Sequence, residues 1–217
     1  MLQANQAQIM LQLQDNMNAK VNPQWLSTRS PFLRAVVIEG AEAIEHHGWK
    51  WWKKQDCDLE QLQMELVDIW HFVLSELLLQ SDGEHTPAQA YIFDNIDQKE
   101  LQFDGKQWQF SELNLLEKLE LLIGLAAAKR TSIGLFSALL VDCKMTWLDL
   151  YQQYVSKNVL NFFRQDNGYK QGTYRKVWDG REDNEHLVEL MADLDASALS
   201  FQEDLYQALH QRYGQSK

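Results

Sequence analysis

Apolar residues recur along most of the chain at three- and four-residue intervals, the period of a helix with one face in a core. The two-residue alternation of strands is scarce. The pattern predicts a polar amphipathic helix over about residues 4 to 20, with Ile9, Leu13 and Met17 on its stripe. Ser30-Pro31 predicts the N-cap and first position of a second helix, which runs to about His46 with Leu33, Val37, Ala41 and Ile44 at core spacing. Asp58 with Gln61 predicts the start of a third, ending near Ser81-Asp82-Gly83. Its apolar set (Leu62, Leu66, Ile69, Val73, Leu77) is widened by Trp70, Leu74 and Leu78, so little of its circumference is polar and it is expected to be largely buried.

Residues 82 to 110 are polar and turn-rich, with "FDGKQW" in the middle, and read as a long mobile loop or a small hairpin. Helical spacing returns from Ser111 to about Lys129 and over about 132 to 144. A capping box at Thr146 and Asp149 opens a further helix to about Asp166, stopped by Gly168. "YKQGTYRKVWDGREDN" reads as a loop. The tail after Glu185 is acidic and helical, with Ser200 and Glu203 expected to cap the last helix. The expected architecture is all-α: a multi-helix bundle over 1–184 with an insertion at about 82–110, and an acidic helical appendage over 185–217.

Composition narrows the function classes. The 217 residues are 45 % hydrophobic, enough for a sizeable core, and carry a net charge of −11. Such a chain repels a phosphate backbone, so generic nucleic-acid binding is disfavoured, while a small phosphorylated ligand or a divalent metal remains compatible. Cys57 and Cys143 sit in no CxxC and read as two reduced cysteines. The first lysine is Lys20, and no apolar run reaches membrane length, so a cytoplasmic, soluble protein with no membrane partner is expected.

The acids on the two most apolar helices are the first candidate chemistry. Glu39 and Glu42 lie one turn apart in "AVVIEGAEAIE", and Glu65 and Asp68 in "ELVDIWHF". Burying like charges costs several kcal/mol each unless a cation compensates, and no Lys or Arg stands one turn from Glu65 or Asp68. Hard divalent cations with oxygen ligands, Mg²⁺ above all, are the natural compensation. The other reading is four boundary carboxylates solvated at helix edges. Glu45 is expected to stand outside the cluster, and Glu117 and Glu120 belong to a solvated face.

The complement lies late in the chain. Lys157, Asn161 and Arg164 share one helix face in "SKNVLNFFRQDNGYK", a face suited to phosphate oxygens. Tyr169, Lys170 and Lys176 follow in a glycine-containing segment able to close over a ligand. Trp49, Trp51 and Trp52 cannot all point inward, so at least one is expected at the surface, where a flat ring beside a cationic pocket is a platform for a base.

Together these segments resemble the all-α, dimeric dUTP nucleotidohydrolases, relatives of the MazG-like pyrophosphohydrolases. The resemblance rests on Glu39-x-x-Glu42, "WKWWK" from Trp49 to Lys53, "ELVDIWHF" from Glu65 to Phe72, and the "KNxLNxxRQDxGYKxGxYxK" pattern from Lys157 to Lys176. It runs from about residue 10 to 180 and implies a homodimer with a MazG-like metal-binding core. It also implies hydrolysis of dUTP, and of dUDP, at the α-phosphorus to dUMP. Glu39, Glu42, Glu65 and Asp68 would be the catalytic carboxylates and would hold two or more Mg²⁺ ions. Lys157, Asn161, Arg164, Tyr169, Lys170 and Lys176 would bind phosphate. Gln14, Asn18, Trp51 and Phe72 would bind the base. In one departure, the family's Gln-to-Asn spacing of three would fall on Asp15 rather than Gln14. Two alternatives stay open: a MazG-like enzyme for dCTP or a modified nucleotide, and a non-catalytic helical module that binds a protein.

Overall fold

In the computed structural model of the chain, residues 1–194, 198 and 200–216 are described. The remaining positions of the expected 185–217 appendage lie outside the described residues. Ten α-helices, two short hairpins and one 3-10 turn (Phe110–Glu112) make up the elements among them. In order they are α1 (Ala4–Val21), α2 (Trp25–Thr28), α3 (Phe32–His47), α4 (Leu59–Gln80), α5 (His85–Asn95), β1 (Glu100–Phe103), β2 (Lys106–Gln109), α6 (Leu115–Ala127), α7 (Ile133–Asp142) and α8 (Trp147–Asp166). The chain then forms β3 (Val177–Trp178), β4 (Arg181–Glu182), α9 (Asp183–Ala192) and α10 (Phe201–Gln215).

α4 is the centre of the molecule. Leu62, Leu66, Ile69, Trp70, Leu74 and Leu78 are fully enclosed, as the width of its apolar surface predicts. Asp58 caps it by accepting from the Gln61 amide. α3 packs along it and along α6, and α1 and α8 close the other side. Trp70 stacks on Phe136 of α7 and meets Trp147 of α8 edge-on, tying three helices together.

The structure corrects several local expectations. α3 starts one residue later, with Pro31 at the N-cap and no side-chain cap. Its buried stripe is Leu33, Val36, Gly40 and Ala43, while Ala41 is exposed. The helix lies in the groove between α4 and α6, and its buried arc is rotated accordingly. Gly40 belongs to that contact, because a Cβ there would come within 2.8 Å of Ile123 Cγ1. The 82–110 segment is a helix followed by a hairpin. The hairpin turns on Asp104 and Gly105, both with positive φ, the geometry favoured by Asp-Gly. α6 starts at Leu115, where Asn114 and Glu117 form the capping box. The late loop holds a second tight hairpin through Asp179-Gly180. Ser200 sits at the N-cap of α10 but makes no side-chain cap. No helix among the described residues is long and apolar enough to cross a membrane.

Candidate active site

Because α3 and α4 are successive helices packed along their length, the two acidic pairs face each other. One carboxylate oxygen from each of Glu39, Glu42 and Glu65 lies within 4.8 Å of the others. Glu65 is buried, Glu39 half-buried and Glu42 exposed. Asp68, the fourth acid, turns its Oδ2 to Lys157 Nζ at 3.1 Å. Glu65 meets His46 Nε2 at 3.3 Å. Burial first, and then the negative charges of Asp68, Glu65 and Glu42, push Glu39 up to about 8. Burial, followed by Asp68 and Glu42, raises Glu65 to about 7. These acids lack enough positive charge to ionise freely. An all-oxygen donor set with that deficit fits a hard divalent cation, since binding one would supply the missing charge.

Two cavities meet at this cluster. One, of about 410 Å³, runs from Glu39 and Asp68 past Lys157, Asn161 and Arg164 to an end lined by Trp25, Phe32 and Phe72 together with Gln14, Asn18 and His71. Its size suits a small-molecule ligand. The second, about 640 Å³ and strongly polar, spans Glu42, Glu65, His46, Lys176 and Asn184. The cavities share Glu39, Asp68, Lys157, Arg164 and Tyr169.

The amide end is held by a buried network. Gln14 and Asn18 are one turn apart on α1, and Gln14 Nε2 donates to Asn18 Oδ1 at 3.1 Å. Ser75 Oγ also donates to that oxygen. Gln14 Oε1 sits 2.8 Å from His71 Nδ1 and 2.9 Å from the Tyr154 hydroxyl. An amide oxygen can only accept, so this assignment places the proton of His71 on Nδ1 and leaves Nε2 an acceptor. Burial holds His71 neutral, lowering its pKa to about 3. Asn18 Nδ2 and His71 Nε2 are buried with no partner, one donor and one acceptor on residues that line the cavity. Asp15 faces away and meets His85 at 3.1 Å.

Lys157, Asn161 and Arg164 project from α8 toward the acids, as their spacing predicts. Lys157 has only 7 % of its side chain exposed. Arg164 is engaged by Asp183: Nε donates to Oδ2 at 2.8 Å and Nη2 to Oδ1 at 2.7 Å, while Nη1 reaches Asn161 Oδ1 at 3.1 Å. Gly168, at φ 91°, turns the chain after α8, and a Cβ there would lie 2.0 Å from Thr173 Oγ1. Tyr169 consequently lines both cavities. Lys176 lines the polar one and pairs with Glu182 at 3.0 Å. Lys170 lines neither, donating instead to the Val21 carbonyl at 2.8 Å.

Trp51 is 85 % exposed and also lines neither cavity. It packs edge-on against Trp52 and Trp49 in a surface cluster. Glu45, expected to stand apart from the acids, accepts from Trp49 Nε1 and Lys50 Nζ. Sequence reasoning overlooked His46, Asp183 and Asn184. His46 follows Glu42 by one helical turn, a spacing that could have flagged it, whereas Asp183 and Asn184 sit in an acidic run with no periodic signal.

A search of curated proteins finds no match for the chain. A family model described as dUTPase matches residues 6–169, which span the amide end, all four acids and the cationic face of α8. That match covers well over half of the chain, and with its helical fold the protein belongs to the all-α dUTPase family, the dUTP diphosphatases.

Proposed function

We propose that the chain carries out Mg²⁺-dependent hydrolysis of dUTP, and of dUDP, at the α-phosphorus, releasing dUMP with pyrophosphate or phosphate. It would thereby limit uracil incorporation into DNA, acting in the cytoplasm as a homodimer. The observation that carries this reading is a single cavity with acids and cations at one end and aromatics with unpaired amide and imidazole groups at the other. A nucleotide has that polarity. Uracil offers carbonyl acceptors and an N3–H donor on one edge, which match Asn18 Nδ2 and His71 Nε2. Cytosine carries a bare N3 at that position. Phe72 and its aromatic neighbours supply apolar walls for the ring.

At the other end, Glu39, Glu42, Glu65 and Asp68 would hold two or more Mg²⁺ ions, which when bound supply Lewis-acid neutralisation of the phosphate oxygens. Lys157, Arg164 and Asn161 orient the phosphates with directed N–H donors, and Lys157 adds positive charge where negative charge develops. A water attacks the α-phosphorus in line with the departing pyrophosphate oxygen. Glu42, the most exposed acid of the cluster, is placed to accept its proton. Tyr169 and Lys176 border the phosphate end, while Lys170 and Trp51 stand outside both cavities.

The test is pyrophosphate release from dUTP by Glu42→Gln and Asp68→Asn proteins with Mg²⁺. Each is expected to lose at least ~100-fold in turnover, beyond what losing a group that merely supports a metal ligand costs. Turnover near the wild-type rate in both contradicts the account of the acids.

A further inference from the structure

Asp183 stands outside the span that matches the family model and is the most deeply buried acid near the cavities, with 0 % of its side chain exposed. Its carboxylate accepts three hydrogen bonds. Two come from Arg164 in a side-on, bidentate arrangement, and the third comes from the Tyr174 hydroxyl to Oδ2 at 2.8 Å. Its backbone amide donates to the Lys176 carbonyl at 2.9 Å. The next residue, Asn184, brings its Oδ1 to 3.4 Å from Arg164 Nη2.

This geometry leaves the guanidinium one orientation. A bidentate pair fixes the plane of the fork, and the Nη1 edge then turns toward Asn161 at the phosphate end. An arginine on the last turn of α8 with no such partner would sample many rotamers, at an entropy cost on each binding event. Lys157, by contrast, makes one ion pair among the described residues, with Asp68.

We propose that Asp183 is a positioning residue for the reaction: it presets the Arg164 guanidinium, and brings Asn184 alongside, so that a directed donor face meets the triphosphate. The proposal rests on reading the acid–cation end of the cavity as the phosphate site. It makes Arg164 a source of aimed donors rather than of net charge, because its charge is already matched by Asp183. A purely structural ion pair tying α9 to α8 would have no preference for phosphate-bearing ligands.

The experiment is calorimetric binding of 2′-deoxyuridine and of a non-hydrolysable dUTP analogue, with Mg²⁺, to the wild type, Asp183→Asn, Arg164→Gln and the double variant, alongside kcat and KM for dUTP. The expected result is that Asp183→Asn weakens the analogue about tenfold, a loss of the size that bidentate charged contacts carry, and leaves deoxyuridine unchanged. In the Arg164→Gln background the same change is expected to add nothing, because the two residues act as one unit. Equal losses for both ligands, or additive losses in the double variant, overturn the proposal. If Asp183→Asn does not fold, Tyr174→Phe removes only the third bond and is expected to weaken the analogue alone, about threefold; an unselective effect overturns the proposal equally. Failure of the wild type to bind the analogue overturns the functional reading, and the positioning inference with it.

Discussion

Glu39 shows how one residue reports the state of the whole site. Its folded-state pKa is about 8 and that of Glu65 about 7, both above the ordinary 4.5. The folded, metal-free chain therefore holds protons that the unfolded chain has released, and the stability they carry is lost as pH rises from 4.5 through 7 and 8. His71 works in the opposite sense: its folded pKa lies below 6.5, so its contribution is lost as pH falls below that value. The window from pH 6.5 to 8 thus isolates the acids. Thermal denaturation of chelator-treated protein is expected to show a falling midpoint across it, flattened in Glu39→Gln and reversed by Mg²⁺. A midpoint that rises across the window, or an unflattened slope in the variant, contradicts this account of the charge deficit. At this scale the acids and the α8 cations were legible because unpaired charge on an apolar helix has few explanations. Asp183 was not, because its burial depends on a hairpin and a helix terminus that leave no periodic trace.

The elements were readable wherever a stripe and a cap coincided. α4 and α8 have both, and they appear as expected. α5 has only Ala88 and Ile92 facing inward, with Pro87 in its first turn, so its pattern was too thin to separate from a loop. α3 presents the subtler case. A single stripe cannot describe a helix wedged between two partners, and the buried arc falls between the stripes that each partner would demand. Gly40 sits at that wedge, flanked by Glu39 and Glu42. Gly40→Ala would force Ile123 to move, a strain of about 1–3 kcal/mol set against the roughly 1 kcal/mol that replacing a mid-helix glycine gains, so the expected net effect is a cost of about 0–2 kcal/mol. Urea denaturation reads this directly, and a variant stabilised by the full ~1 kcal/mol of helix propensity contradicts the close approach of α3 and α6. Because the shift moves Glu39 and Glu42 with the helix, Mg²⁺ affinity is expected to fall as well.

Across the whole molecule, the described C-terminal helices pack on the end of α8 rather than standing apart from it. Phe163 of α8 is ringed by Tyr174, Trp178, Tyr206 and Tyr213, and Tyr213 stacks on Tyr174 with ring centres 5.4 Å apart. Tyr174 in turn holds Asp183, the partner of Arg164, so this aromatic cluster backs the cationic end of the cavity. Tyr213→Ala is expected to cost about 2 kcal/mol, given several aromatic contacts and partial exposure; a loss below about 0.5 kcal/mol, the ordinary scatter of surface changes, contradicts it. The sequence presented this tail as acidic and helical but did not reveal what its tyrosines touch, since contacts between residues 163 and 213 are long-range. On the proposed function, one cavity selects a uracil nucleotide and hydrolyses it at the α-phosphorus with a divalent ion. Its most direct test is a panel of dNTPs and dNDPs, assayed for pyrophosphate and phosphate release with Mg²⁺ and with chelator. Turnover of dUTP and dUDP to dUMP is expected, with none of dCTP and none with chelator; preference for dCTP, or turnover that survives metal removal, would overturn the proposed function.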